Sequence, residues 1–346
     1  MRKGLLLFLL IFLIAVPVSG AEFTVPEAPD SARQFLPDET DSFGEGLWYV
    51  ISSALKAMHP SFMDALKTCV CLIAAALTIG LVSDICPDVK KVVSLIGTVF
   101  VGVILFQPLH TFIRLGVQTI TEISQYGKLL LPVMAAALAA QGAVTQSGSV
   151  YMATAFVDAL LTTAISDLLV PMVYIYLCVS VGCNLWEQPL LQQIRKFLKW
   201  MVTWGLKIVL YVFTGYITIT GVVAGTTDAT ILKATKLTIS GVVPVVGNIL
   251  SDASEAVLVS AGMMKNAVGI YGLLAVIALW IGPFVRIGLQ YLMLKITGGI
   301  VQMFAPKQLA ELILDFSGAM GLVLAMTGTV CLLFLISTIC FMKGVA

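Results

Sequence analysis

Charged residues are scarce in this sequence. Asp, Glu, Lys and Arg make up 11% of the 346 residues, whereas hydrophobic residues make up 59%. A soluble domain carries roughly 25% charged residues, so this chain has too few charges to cover a water-facing surface. The net charge of +1 provides no basic face for nucleic acid. The composition therefore predicts an integral membrane protein that does not bind nucleic acid.

The residue types that carry catalysis and metal binding are also few. The only two histidines, His59 and His110, are far apart in the sequence. The seven cysteines show no Cys-x-x-Cys pair and no zinc-ligand spacing, and most lie in apolar tracts as small hydrophobic residues do, with a redox role as the alternative. No P-loop, HExxH or GxSxG motif occurs. We therefore expect no catalytic residue, no cofactor, no metal and no enzymatic activity.

The N-terminus has the layout of a secretory signal peptide. Arg2 and Lys3 precede an apolar run that Pro17 ends, and small residues follow at Ser19–Ala21. This pattern predicts a signal peptide over residues 1–21, with a retained signal anchor as the alternative. Residues 22–65 begin as a polar, acidic and Pro-rich stretch, and we expect a poorly ordered extracytoplasmic segment that leads into a short helix. The membrane domain is then expected over residues 66–346.

Uncharged runs predict an all-α, polytopic helical membrane protein with about seven to eight transmembrane helices. These runs are Thr68–Ser83, Val92–Ile113, two helices over Leu129–Val157 that are separated near Gly142–Ser149, Leu168–Trp186, Ile208–Thr227, Asn266–Val285 and Phe316–Met342. Lys and Arg divide evenly between the two sets of connecting loops. Orientation in the membrane therefore rests on the predicted signal peptide and not on the distribution of positive charge.

The segment Leu190–Val202 has the pattern of an amphipathic helix. Its apolar residues follow a period of 3.6, and its polar residues take the opposite face. The apolar face is Leu190, Leu191, Ile194, Phe197, Leu198, Met201 and Val202, and the polar face is Gln192, Gln193, Arg195, Lys196 and Lys199. Two hypotheses fit this helix: it lies in the membrane interface and positions the next span, or it docks to a cytoplasmic partner.

Two acids, Asp158 and Asp167, lie within an otherwise uncharged region. An ionisable group at membrane depth is a candidate for an ion relay because its burial in lipid is costly. Nine residues on a helix correspond to about 13 Å of rise, so the two carboxylates do not form a pair. The alternative is structural: Asp167 ends a helix, and Asp158 forms hydrogen bonds within the bundle or meets lipid head groups.

The segment Ala224–Asn266 is rich in small and polar residues and lies between two apolar tracts. Gly241, Pro244 and Gly247 interrupt it, which predicts a broken or re-entrant segment near residues 237–251. Its small residues allow helices to approach closely. We therefore expect Gly241, Pro244, Gly247, Ser251 and Gly262 to pack against other helices or to line a pore, with an extracytoplasmic loop as the alternative.

This segment also carries a resemblance to a known family. The stretches Gly225–Gly272 and Pro283–Gly299 resemble the stage III sporulation protein AE family of endospore-forming bacteria. The resemblance implies a multi-pass protein of the mother-cell membrane that faces the forespore. It also implies a place, with the other proteins of the stage III sporulation A operon, in a channel or secretion-like complex needed for late forespore gene expression.

Further partners follow from the same resemblance. Stage II sporulation protein Q would approach this complex from the forespore side, as an indirect partner, and membrane lipid would surround the chain. The resemblance carries over no catalytic residue. Two other functions remain open at the level of the sequence: a secondary transporter or permease that uses a discontinuous helix, and a pure membrane assembly scaffold.

Overall fold

A computed structural model describes residues 26–37, 43–85, 87–141, 143–186, 188–242 and 247–343, with the backbone alone described for residues 87, 220–242, 247–266 and 343. Within these ranges all regular structure is helical. The helices are α1 Asp30–Arg33, α2 Phe43–Lys56, α3 Met58–Ile85, α4 Lys90–Ala140, α5 Val144–Ala164, α6 Val170–Trp186, α7 Pro189–Val242, α8 Gly247–Val301 and α9 Lys307–Lys343. A 3-10 turn, Pro87–Val89, precedes α4, and a π-helical turn, Ile165–Leu169, joins α5 to α6.

The prediction of an all-α, polytopic membrane protein is confirmed. Six helices among the described residues are long and apolar enough to cross a membrane: Met58–Ile85, Lys90–Ala140, Val144–Trp186, Pro189–Ile219, Ala267–Val301 and Lys307–Met342. The division into spans differs from the expected one, because two predicted pairs of helices each form one continuous helix. The predicted interruption near Gly142 is present, since α4 ends at Ala140 and α5 begins at Val144.

Residues 114–128, which the sequence analysis placed in a connection between two spans, continue the helix α4 instead. Nothing in their local sequence prevents a helix. Pro108 and Pro132 also lie inside α4 without ending it. A proline removes one backbone hydrogen bond, and packed neighbours in a membrane bundle compensate for such a loss. At 1.5 Å per residue the 51 residues of α4 extend about 76 Å, more than twice the roughly 30 Å thickness of the hydrocarbon core.

Helix α9 lies at the centre of the bundle and packs most extensively against α8 and α4. Its buried side chains include Phe316, Phe334 and Phe341, all at most 1% exposed. The ring of Phe334 fits against Gly127 of α4, at a position where any Cβ would overlap the ring. The close approach of α4 and α9 therefore depends on a glycine, as is common in helix packing within membranes.

Residues 26–37 pack on this bundle, although the sequence led us to expect a poorly ordered segment there. Ala32 and Phe35 are buried, and the Ser31 hydroxyl donates a hydrogen bond of 2.7 Å to Glu122 of α4. A Cβ on Gly282 of α8 would lie 3.1 Å from the Phe35 ring. Helix α2 corresponds to the expected short helix, and α3 begins at Met58, ahead of the predicted start of the membrane domain at residue 66.

Three connections meet at one end of the bundle, which we call the loop end. They are the turn around Asp88, the connection between Trp186 and Pro189, and the connection between Val301 and Lys307. Ser94 near the start of α4 contacts Gln308 near the start of α9, where the Ser94 hydroxyl donates to the Gln308 side-chain oxygen Oε1 over 3.5 Å. Helices α4 and α9 therefore run in the same direction from the loop end.

Candidate functional site

The predicted broken segment falls largely outside the described side chains. Gly241 is the penultimate residue of α7 and Gly247 is the first residue of α8, while Pro244 lies outside the described residues. Ser251 and Gly262 belong to α8, but the surroundings of all these side chains lie outside the described part of the chain. Their packing or pore-lining role remains a prediction from the sequence.

Asp158 is buried in the bundle and is 3% exposed. The Ser124 hydroxyl of α4 donates a hydrogen bond of 2.7 Å to Asp158 Oδ2, and the Thr162 hydroxyl lies 3.4 Å from Oδ1. Both carboxylate oxygens therefore accept hydrogen bonds from hydroxyl groups of the bundle. This geometry agrees with the expected hydrogen bonding of Asp158, and its structural role remains a prediction.

Asp167 is exposed, so the two acids have opposite environments on one continuous helix. The expectation that Asp167 ends a helix is wrong, because it lies within the π-helical turn and the helix continues to Trp186. A π-helical turn holds one extra residue within a helix and keeps the chain helical on both sides. The π-helical turn therefore changes which side of the helix the following residues occupy, while the chain stays helical.

A polar cluster that the sequence analysis did not identify joins three helices near the loop end. Arg195 of α7 forms an ion pair with Asp315 of α9, and their side chains are only 17% and 14% exposed. Tyr176 and Asn184 of α6 complete the cluster. The Tyr176 hydroxyl and the Asn184 side-chain amide each donate to an Asp315 carboxylate oxygen over 3.4 Å.

The assignment of Arg195 to the polar face of an amphipathic helix is wrong. Leu198 and Val202 are buried, and Arg195 lies on the same side of α7 because it precedes them by three and seven residues. Ile194 and Phe197, assigned to the apolar face, are exposed instead. The spacing of three and seven residues from Arg195 to Leu198 and Val202 could have indicated that Arg195 faces the bundle. Its basic side chain and its polar neighbours favoured the polar face instead.

The exposed side of this part of α7 carries aromatic residues. Phe197 stacks on Trp200 with ring centroids 6.0 Å apart, and Trp200 lies 6.3 Å from Trp204. All three side chains are about half exposed. An exposed aromatic ridge beside charged Lys196 is typical of a helix at the surface of a membrane or of a protein partner.

A cavity of about 720 Å³ lies at the loop end, next to the polar cluster. It is lined by charged, polar and aromatic residues of all three connections, among them Asp88, Lys90, Lys91, Asn184, Trp186 and Gln308. Asn184 belongs to both sites, because it lines the cavity and donates to Asp315. At the loop end the polar cluster therefore adjoins a cavity of ligand size.

These side chains can hold a polar or charged ligand, but they do not form a metal site. Among the described residues no group of three or more His, Cys, Asp or Glu is placed to hold a metal ion. The Arg195–Asp315 pair satisfies its own charges, which leaves the two lysines and Asp88 as the charged groups available to a ligand in the cavity.

Comparisons with known proteins identify the family. The family of stage III sporulation protein AE matches residues 49–344, which is most of the chain. Stage III sporulation protein AE of Bacillus subtilis (strain 168) is 23% identical over 214 residues, which cover 62% of this chain and 54% of that relative. The match thus spans about half the length of the curated relative. No solved structure matches this chain. Because the family match covers all six candidate spans, the chain belongs to the stage III sporulation protein AE family and is a membrane protein of sporulation.

Proposed function

We propose that this protein is a non-enzymatic membrane component of a channel or secretion-like complex between the mother cell and the forespore. The observation that carries the proposal is the family match over residues 49–344. The chain would reside in the mother-cell membrane that faces the forespore, and would assemble with the other proteins of the stage III sporulation A operon. Stage II sporulation protein Q would be an indirect partner from the forespore side.

The exposed faces of the bundle support a role in an assembly. The aromatic ridge of Phe197, Trp200 and Trp204 offers a surface to lipid or to another subunit. The predicted break around Pro244 would let small residues pack closely against a neighbour or line a conduit. A component of this kind contributes shape and membrane crossing to the complex, and no step of its function requires a catalytic group.

The test is a deletion of the gene in its endospore-forming host, followed by complementation. We expect the deletion to reduce late forespore gene expression and spore number, and the intact gene to restore both. Affinity purification from sporulating cells should recover the other proteins of the operon. Normal sporulation of the deletion strain would refute the proposal.

A second measurement distinguishes the channel component from a transporter. The purified protein in liposomes should conduct no ions or small solutes by itself, whereas a complex with its partners should. Saturable solute flux through the protein alone would favour a secondary transporter, because a discontinuous helix serves that function in several transporter folds.

A further inference from the structure

The cavity at the loop end lies where the head groups of a bilayer would be. It is bounded by the ends of three candidate spans, Met58–Ile85, Val144–Trp186 and Ala267–Val301, and by the starts of Lys90–Ala140 and Lys307–Met342. Three uncharged runs, Thr68–Ser83, Val92–Ile113 and Leu168–Trp186, end or begin here, and the ends of such runs lie at the level of the lipid head groups. Trp186 lines the cavity and is 69% exposed, as expected of a tryptophan in the membrane interface.

Charges of both signs line this cavity. Lys90 pairs with Asp84 over 3.7 Å, in an exposed ion pair. Lys91 forms no ion pair with any described residue, and Asp88 lies in the turn just before the two lysines. The lining residues Lys90, Lys91 and Asp88, taken together with the Asp84 carboxylate that pairs with Lys90, have no net charge, so they do not favour a simple anion. They are complementary to a ligand that carries a phosphate and an ammonium group.

The apolar part of such a ligand also has a surface to follow. Val92 and Ile96 of α4 lie one turn apart on the same side of the helix and are 54% and 65% exposed. Val92 directly follows Lys91 in the sequence. Acyl chains would therefore extend along this side of α4 from a head group bound at the cavity. The volume of about 720 Å³ is within the range of small-ligand sites.

We propose that the loop-end cavity binds the head group of phosphatidylethanolamine, with the phosphate at Lys91 and Lys90 and the primary ammonium at Asp88. Trp186 and Gln308, from the other two connections, also line the cavity and would lie beside the bound head group. The site is independent of the proposed channel function and can be tested on the protein alone.

The test measures binding of short-chain phospholipids to the full-length protein in detergent by native mass spectrometry. Dihexanoyl phosphatidylethanolamine, phosphatidylglycerol and phosphatidylcholine are compared, together with soluble phosphoethanolamine. We expect the ethanolamine lipid to bind most tightly. Lys91→Gln should weaken its binding about fivefold, which is the effect of one lysine charge beside anionic lipid groups such as the phosphate.

Asp88→Asn tests the second half of the recognition. It should remove the preference for phosphatidylethanolamine over phosphatidylglycerol, because the ammonium group loses its carboxylate while the added net positive charge favours the anionic lipid. Ser94→Phe should weaken the binding of all three lipids, because its ring narrows the cavity without a change of charge. The Lys91 and Asp88 variants are at exposed positions, so the test does not depend on the folding of the Ser94 variant.

Lys67→Gln is the matched control. Lys67 is exposed and pairs with Asp64 over 3.3 Å, much as Lys90 pairs with Asp84, but it does not line the cavity. We expect its lipid binding to be unchanged. Equal binding of all three lipids, or the same loss in the control as in Lys91→Gln, would overturn the proposal. Binding of soluble phosphoethanolamine as tight as that of the lipid would overturn the lipid as the ligand and assign the site to a free metabolite.

Discussion

The ion pair between Arg195 and Asp315 should stabilise the native bundle only while both partners are present. Arg195→Met leaves the Asp315 carboxylate nearly buried without its counter-ion, and Asp315→Leu leaves the Arg195 guanidinium in the same condition. Removal of one partner from a buried ion pair costs about 3–5 kcal/mol in unfolding free energy. The slight exposure of both side chains places the expected loss toward the lower end of this range.

The double variant Arg195→Met/Asp315→Leu should be more stable than either single variant. It removes both charges and replaces them with apolar groups of similar size, a change that is often neutral or stabilising. The Tyr176 hydroxyl loses its acceptor, which costs about 1 kcal/mol, and the Asn184 amide also loses Asp315 but keeps its hydrogen bond to the Ser180 carbonyl. We therefore expect the double variant to exceed the single variants by at least about 2 kcal/mol, so that the two changes are strongly non-additive.

The assay is chemical unfolding of the purified protein in detergent, followed by tryptophan fluorescence. Trp200 and Trp204 lie about one and a half and two and a half turns beyond Arg195 on α7 and report on this region. The exposed pair of Lys67 and Asp64 is the control, and its removal should change stability by less than about 1 kcal/mol. Single variants at Arg195 and Asp315 that behave like this control, or a double variant whose loss is the sum of the single losses, would refute the argument.

Three further predictions concern other positions. Asp158→Asn should leave protein level and late forespore gene expression normal, because an amide oxygen still accepts the Ser124 hydrogen bond; loss of expression at normal protein level would restore the ion relay. Gly127→Ala should destabilise the protein by about 1–3 kcal/mol through overlap with Phe334, and Phe334→Leu should relieve part of this loss in thermal unfolding. Gly247→Leu should prevent complex assembly while the protein still accumulates, as judged by co-purification, whereas full tolerance would indicate an exposed loop.

The sequence by itself determined the class of the protein and most of its helices. Too few charges for a water-facing surface left a membrane protein as the only class, and long uncharged runs can cross lipid only as helices or as a closed barrel. The stretches Gly225–Gly272 and Pro283–Gly299 resembled the family that matches residues 49–344. The class and the helices follow from composition and local pattern and the family from a resemblance of sequence, none of which requires knowledge of the neighbours of a residue.

The ends of the helices, and the side of the bundle that each residue faces, were harder to predict from the sequence. Uncharged runs end at Arg114 and Asp167, but α4 continues through Arg114 and the π-helical turn continues through Asp167. A charge indicates where a chain can meet water and does not by itself end a helix. In the same way the polar neighbours of Arg195 indicated a solvent face, whereas the partner of Arg195 lies inside the bundle.

The tertiary structure alone decided which distant residues share a site. Arg195 and Asp315 are 120 residues apart, and Ser124 and Asp158 are 34 residues apart, yet each pair forms a contact between helices. The loop-end cavity likewise collects Lys91, Asn184 and Gln308 from three connections. Helix periodicity specifies which side of a helix a residue occupies, but the choice of facing helix depends on how all the helices pack at once. That choice is a property of the whole bundle, and no local pattern in the chain contains it.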